Sequence, residues 1–205
     1  MSNNYQVLAL KWRPKYFKDV VGQPHITETI EKAFEKDRLA QAFLFSGPRG
    51  VGKTTTARLL AMSLNGSDKP TTKYDIDSEK VKSIISGSSM DVIEIDGASN
   101  RGIDEIRELR ENIQFLPADG NFKVIIIDEV HMLTTQAFNA LLKTLEEPPK
   151  HVKFILATTD VHKIPQTIIS RCQKFDFAPL SNKTITERLE YLSLIHISEP
   201  TRLRR

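Results

Sequence analysis

Cysteine is nearly missing from this sequence: Cys172 is the single one in 205 residues. A lone thiol excludes an intrachain disulfide and an all-cysteine metal site, and its ordinary reading is a small buried side chain. Long apolar runs are absent too, and none approaches the ~20 residues that a helix needs to cross a bilayer. The opening stretch MSNNYQVLALKWRP has no basic segment leading into an apolar one. No secretory signal is read there, and a cytoplasmic chain without membrane attachment is the expectation. Charge of one sign is scarce: the formal net charge is +3, too little to argue for a nucleic-acid partner. Most of that excess lies in Arg202, Arg204 and Arg205 of the tail, set against Glu199. The remainder, 40% hydrophobic and 27% charged, describes an ordinary globular chain with one substantial domain and room for part of a second.

What is present is organised around AFLFSGPRGVGKTTT, residues 42–56. A short apolar strand runs into a glycine-rich turn and then a helix, and Gly47, Gly52, Lys53 and Thr54 fit the G-x-x-x-x-G-K-[ST] phosphate-binding loop. Glycines let backbone N–H groups curl round a polyphosphate while the helix directs its positive end at the anion. Lys53 then reaches the outer phosphates and Thr54 holds Mg²⁺.

Along the chain, residues 5–24 mix aromatic, basic and apolar side chains without a clean period, which reads as an extended segment packed on the domain. Ile26, Ile30, Ala33 and Phe34 carry helical spacing. The helix after the loop runs through Leu60 and Leu64 to a stop at Asn65-Gly66. Residues 65–90 are the most polar and irregular part and read as a variable surface insertion with a short helix around Glu79. Residues 91–96 (DVIEID) alternate like a strand, and Ile103, Ile106, Leu109 and Ile113 mark a helix closed by Pro117. Residues 123–129 (KVIIIDE) and 154–159 (FILATT) are apolar runs of the kind found in strands buried on both faces. Between them lies a helix with Phe138, Leu141, Leu142 and Leu145 as its stripe, and residues 174–177 form a short last strand. Strands alternating with helices over residues 40–178 predict an α/β domain with a parallel sheet. Ligands bind such sheets at the carboxyl ends of the strands, so Gly47, Asp128 and Thr159 are expected on one edge.

Asp128 ends a buried strand, where an acid holding Mg²⁺ belongs, and Glu129 beside it is placed to polarise a water. The plainer reading of that pair is a solvated turn or helix cap. Thr158 and Thr159 either orient the phosphate end or serve as ordinary strand formers. Arg171, read on composition, is a solvated surface arginine.

Residues 5–192 resemble the AAA+ ATPases of clamp loaders, especially the gamma/tau group of bacterial DNA polymerase III. The matching text is YQVLALKWRP, DVVGQ, FLFSGPRGVGKTTTAR, IEIDGASN, KVIIIDEVHMLTTQAFNALLKTLEEPP and HVKFILATTDVHKIPQTIISRCQKF. The resemblance implies a P-loop AAA+ domain with a parallel five-stranded sheet flanked by helices, followed by a truncated helical lid. It implies that Gly47, Pro48, Arg49, Gly50, Val51, Gly52, Lys53, Thr54 and Thr55 bind ATP. Arg13, Pro14, Val20 and Val21 would cover the adenine, and Thr54 and Asp128 would hold Mg²⁺. Lys53, Asp128 and Glu129 become catalytic, Thr159 the sensor 1 residue, and Arg171 a finger acting on a neighbouring subunit's nucleotide. The implied partners are delta, delta-prime and further gamma/tau copies, the sliding clamp and primer–template DNA. Asn100-Arg101 and Thr134-Thr135, at helix starts, are candidate DNA contacts or plain caps. A replication factor C-like or other AAA+ replication subunit, a P-loop kinase, and a nucleotide-binding module that does not hydrolyse in isolation are the alternatives.

The sequence departs from the family pattern in three places. Residues 65–90 lack the four cysteines of the usual zinc module, so no zinc site is expected. Residues 1–178 read as the ATPase domain and 179–192 as the start of the lid, signalled by Ser181, Ile185, Leu189 and Leu192. The sensor 2 arginine and the collar are not found, which makes the chain an N-terminal piece. The tail at 193–205, SLIHISEPTRLRR, resembles translated sequencing-adapter read-through, with a native DNA-binding basic tail as the other reading.

Overall fold

Five parallel strands form the centre of the molecule in a computed structural model, which describes residues 12–198. They are β1 (Ala42–Ser46), β2 (Val92–Asp96), β3 (Lys123–Asp128), β4 (Val152–Thr158) and β5 (Gln173–Asp176), in the order β2-β3-β4-β1-β5. The helices are α1 (Pro24–Glu35), α2 (Lys53–Asn65), α3 (Glu79–Ser86), α4 (Ile103–Asn112), α5 (Thr135–Glu146), α6 (Gln166–Ile169) and α7 (Asn182–Ser198).

Strand burial follows strand position. β4 is buried at every residue and β3 along its four central ones, because helices cover both faces of a central parallel strand. Edge strand β2 instead alternates after Val92, which is why its sequence alternates. Successive side chains point to opposite faces. Phe43, Phe45, Ile126 and Ile155 therefore enter one core layer with Leu59, Leu60 and Leu64 of α2. Leu44, Ile125, Ile127 and Leu156 enter the other with Leu141 and Leu145 of α5.

Register then sets the site. Ser46 lies opposite Thr158 and Asp176, and Asp96 opposite Asp128. The loops after β1, β2, β3 and β4 consequently leave from one edge, as the alternation of strands and helices predicts.

Three features differ from the sequence expectation. Of the segment at 5–24, residues 5–11 lie outside the described residues; the rest is less extended than predicted, making a 3₁₀ turn at Phe17–Asp19 that buries Phe17. The stretch at 65–90 is more than a surface insertion, since Tyr74, Val81 and Ile84 are buried in the first core layer. Tyr74 stacks on Tyr16 at 5.5 Å between ring centres and donates its hydroxyl to the Lys15 carbonyl at 2.7 Å. Burial, then the neighbouring Tyr16 and Asp19, push its phenol far above the usual range. The insertion thereby anchors the N-terminal segment. Finally, α7 runs to Ser198 without a break at 192, so the helix crosses the boundary drawn between lid and tail. Residues 199–205 of that tail lie outside the described residues.

Asp91, just before β2, holds the turn that leads to β3. Its buried carboxylate accepts the backbone N–H groups of Ala118, Asp119 and Gly120 at 2.7–2.8 Å. Burial alone would raise its pKa, but those three bonds and the nearby Lys123 together hold it below the usual carboxylate range. The stabilisation is therefore present above the unfolded-state pKa and lost as pH falls through the lower folded value. Asp91→Asn should cost about 2 kcal/mol at neutral pH, read by urea unfolding, and the gap from the parent chain should close in acid.

Candidate functional site

The chain leaves β1 through a loop that only glycine permits at its two ends. A Cβ on Gly47 would sit 2.5 Å from the Phe177 carbonyl oxygen, and Gly52 has φ 101 where α2 begins. Between them the loop lies open at the amino end of α2, a position suited to anions. Lys53, only 6% exposed, bends back and donates to the Gly47 and Pro48 carbonyls at 2.8 and 2.7 Å. Burial, with Arg49 nearby, lowers its pKa against the opposing pull of Glu129 and Asp128.

Across the loop stands the end of β3. The Thr54 hydroxyl donates to Asp128 Oδ2 at 2.5 Å, and the Glu129 N–H to Asp128 Oδ1 at 2.9 Å. Glu129 adopts φ 46, a left-handed conformation costly for a side chain with a Cβ. That turn carries its carboxylate to the end of β4, where Oε2 accepts from the Thr159 hydroxyl at 2.8 Å and the Thr159 N–H at 3.2 Å. His131 Nδ1 lies 3.3 Å from the same oxygen and 3.1 Å from Thr158 Oγ1.

Lys53, Thr54, Asp128 and Glu129 line a charged cleft of about 360 Å³ that also takes in Arg13, Arg49 and Asp96, whereas Thr159 and His131 stand behind Glu129. Arg13 lowers its pKa by burial first and by the nearby Arg58 second, while Glu94 and Asp128 oppose. Its buried Nη1 makes no hydrogen bond among the described residues. An orphaned guanidinium donor beside the phosphate-type loop fits a phosphoryl oxygen, since a buried unpaired donor is costly. No cluster of three or more His, Cys, Asp or Glu side chains among the described residues would hold a metal on protein ligands alone. Thr54 and Asp128 fit Mg²⁺, which keeps few protein ligands and takes the rest from phosphate and water.

A second, more apolar cleft of about 190 Å³ shares Gly50, Gly52 and Thr55 with the first and is walled by Pro14, Val20, Val21, Val51 and Leu180. The expected adenine-covering group is thus divided: Pro14, Val20 and Val21 line the apolar end, but Arg13 lines the charged one. Arg171 lines neither cleft. It donates to Glu146 Oε1 at 2.9 Å and to the Thr167 carbonyl at 2.7 Å, at the outer end of α5. Cys172 is half-buried, and burial pushes its thiol up to about 11.

Sequence reasoning passed over His131, Asp96 and Leu180. His131 stood in the strand-end text KVIIIDEVH, but only the 3₁₀ turn Val130–Met132 returns it to Glu129. Asp96 was legible as the carboxyl end of a strand parallel to the one ending in Asp128.

Comparison with known proteins points to one group. A family model described as DNA polymerase III, delta subunit, matches residues 22–181. The chain is 53% identical to DNA polymerase III subunit tau of Bacillus subtilis over 186 residues, covering 91% of this chain and 33% of that protein. It is 52% identical to DNA polymerase III subunit gamma of Buchnera aphidicola, covering 92% of this chain and 52% of that one. The chain therefore spans a third to a half of the length of these relatives. Among solved structures, a gamma subunit-related protein of Thermotoga maritima superposes with TM-score 0.51 at 25% identity, over 82% of this chain and 53% of its own. The RuvB branch migration motor of the same organism superposes with TM-score 0.60 at 19% identity, over 90% of this chain and 55% of its own. That likeness shows the fold alone, a P-loop AAA+ sheet.

Proposed function

The chain belongs to the DNA polymerase III subunit family matched over residues 22–181, and on that premise we propose that it is an ATP-binding and ATP-hydrolysing motor subunit of the clamp loader. Loading of a sliding clamp on primer–template DNA is the work its ATP cycle would drive. The observation that carries this reading is the meeting of Lys53, Thr54, Asp128, Glu129 and the orphaned Arg13 donor in one cleft.

Lys53 exchanges the Gly47 and Pro48 carbonyls for phosphate oxygens, and Arg13 gives its open N–H to the same anion. Thr54 and Asp128, already paired, hold Mg²⁺, which when bound neutralises phosphate charge. Glu129, oriented by Thr159 and His131, takes the proton of the attacking water. The apolar end between Pro14, Val20 and Val21 receives the base. The adjacency of Asp128 and Glu129 favours water as acceptor over a kinase substrate. Incubation with Mg-ATP and candidate acceptors tests this: free phosphate is expected, and a phosphorylated acceptor would refute it.

Arg171 points away from its own cleft and serves a neighbouring copy or a delta or delta-prime subunit. Its ion pair with Glu146 is half exposed and worth little, so it yields readily to a phosphate. Arg171→Ala should leave ATP binding by this chain unchanged and cut turnover in the assembled complex by about 10³-fold or more. Fast turnover by the isolated chain, independent of concentration and of this substitution, would refute the shared site.

No helix among the described residues is long and apolar enough to cross a membrane, and replication partners place the chain in the cytoplasm under this reading. Residues 1–178 form the motor domain, and α7 opens the lid.

A further inference from the structure

One wall of the apolar cleft is supported from the far end of α2. The insertion leaves that helix at Gly66 and folds back on it so closely that a Cβ on Gly66 would sit 2.8 Å from Val81 Cγ2 and 3.1 Å from Tyr74 Cβ. The Thr71 N–H donates to the Ser63 carbonyl at 2.8 Å. The Asn121 side chain, just before β3, donates to the Leu64 and Ser67 carbonyls at 2.9 and 2.8 Å. The start of the insertion is thus pinned to α2 from two sides, and Tyr74 is held there at 5% exposure.

From that anchorage Tyr74 grips the N-terminal segment at two adjacent residues. Its ring stacks on Tyr16, the planes 27° apart, and its hydroxyl donates to the Lys15 carbonyl at 2.7 Å. Burial pushes the phenol far above its usual range, so the donor keeps its proton at any working pH. Tyr16 is in turn the pivot of the 3₁₀ turn. Its carbonyl accepts the Asp19 N–H at 3.0 Å, and its own N–H donates to Asp19 Oδ2 at 3.1 Å.

The residues on either side of this pivot form the wall. Trp12 and Pro14 before it, and Asp19, Val20 and Val21 after it, all line the apolar cleft, while Tyr74 lines neither cleft. α2 itself begins at Lys53 of the phosphate-type loop and ends at Asn65. One helix therefore carries that loop at its first residue and, through Tyr74, steadies the wall of the apolar cleft from its last. A wall fixed before the ligand arrives spares the ordering that binding would otherwise cost.

Resting on the nucleotide-binding reading above, we propose that Tyr74 is a positioning residue for the nucleoside end of the bound nucleotide, holding the wall of residues 12–21 in place without touching the ligand. Its influence is confined to ligands that carry a base, because a bare polyphosphate needs only the loop. A side chain of the polar insertion thereby sets part of the preference for a nucleotide over a free polyphosphate.

Calorimetric titration of this chain with Mg-ATP, Mg-ADP and Mg-tripolyphosphate, beside acrylamide quenching of Trp12, its single tryptophan, tests the assignment. Tyr74→Phe keeps the ring and loses the hydroxyl, and should weaken ATP and ADP alike by about two- to tenfold. Tyr74→Leu loses the stack as well and should weaken them further, and both variants should bind tripolyphosphate as the parent does. Trp12 should be quenched more readily in both unbound variants than in the unbound parent. Should Tyr74→Leu fail to fold, Tyr74→Phe alone decides. Parent-like nucleotide affinity or parent-like quenching in Tyr74→Phe would overturn the assignment. An equal loss of tripolyphosphate would overturn it too, by placing the effect at the phosphate end through Arg13 or on the fold as a whole. If Lys53→Ala loses ATP while the Tyr74 variants keep it, the inference alone fails. If the parent chain binds neither ATP nor tripolyphosphate, the function reading fails and takes the inference with it.

Discussion

Replacement of Lys53 by alanine is expected to weaken Mg-ATP binding by about 10²–10⁴-fold while leaving the fold nearly as stable as before. The two halves of that expectation come from different contacts. Without nucleotide the ammonium group bonds the Gly47 and Pro48 carbonyls. Pro48 is exposed and Gly47 half-buried, so water replaces the ammonium at both oxygens and little stability is lost. With nucleotide the same group turns to phosphate oxygens, and hydrogen bonds to charged partners contribute about 1.5–3 kcal/mol each. Losing two of them gives the stated range. Calorimetric titration with Mg-ATP, beside thermal unfolding of both chains, measures the pair of effects. Equal affinity in the two chains would reduce the loop to a glycine-rich turn before a helix. A large fall in melting temperature would make any binding loss uninformative, and Lys53→Arg, which keeps the charge, then decides the question.

Much of the architecture was legible because central strands of a parallel sheet have no solvent side. KVIIIDE and FILATT could be read as buried strands from their uninterrupted apolar character, and the shared edge followed from alternation with helices. The Asp128 and Thr54 partnership was legible too, since each stood at a position fixed by a motif or a strand end. What sequence could not supply was the direction of individual side chains off that frame. Arg13 and Pro14 are neighbours in the chain, yet they line different clefts. Tyr74 was a lone aromatic in a polar stretch, and only its stacking on Tyr16 shows that the insertion holds the segment that walls the apolar cleft. Ile185 and Leu189 signalled a helix in the sequence, and in α7 both are exposed, because periodicity marks a helix but does not say what covers it.

The N-terminal segment, the insertion and α7 are mechanically one unit around the apolar cleft. Tyr74 holds Lys15, Gln23 holds Ala178, and Leu180 seats on Gly22. The charged cleft is built otherwise, from strand ends in fixed register. The division of Arg13 from Pro14, Val20 and Val21 falls on the boundary between these two parts.

Glu129→Gln is expected to bind Mg-ATP within about threefold of the parent chain and to lose turnover by about 10²–10⁴-fold, the contribution of a positioned general base. Binding survives because Glu129 is held by Thr159 and His131 rather than by the loop. Its left-handed backbone, φ 46, makes a strained hinge that aims the carboxylate across to β4. Strain of this kind persists where surrounding contacts over-determine it, and here the Thr159 hydroxyl and N–H, with His131 beyond them, do so. Glutamine keeps the shape and one acceptor oxygen but cannot take a proton from water. Under the proposed function, the rate should be read as phosphate release by the chain mixed with clamp-loader subunits, sliding clamp and primed DNA, where a 100-fold loss is measurable. Equal turnover by parent and variant would remove Glu129 from the chemistry and leave the cleft as a nucleotide-binding site alone. A loss of ATP affinity matching the loss of rate would instead mean that the carboxylate acts chiefly through its pull on Lys53 of the loop.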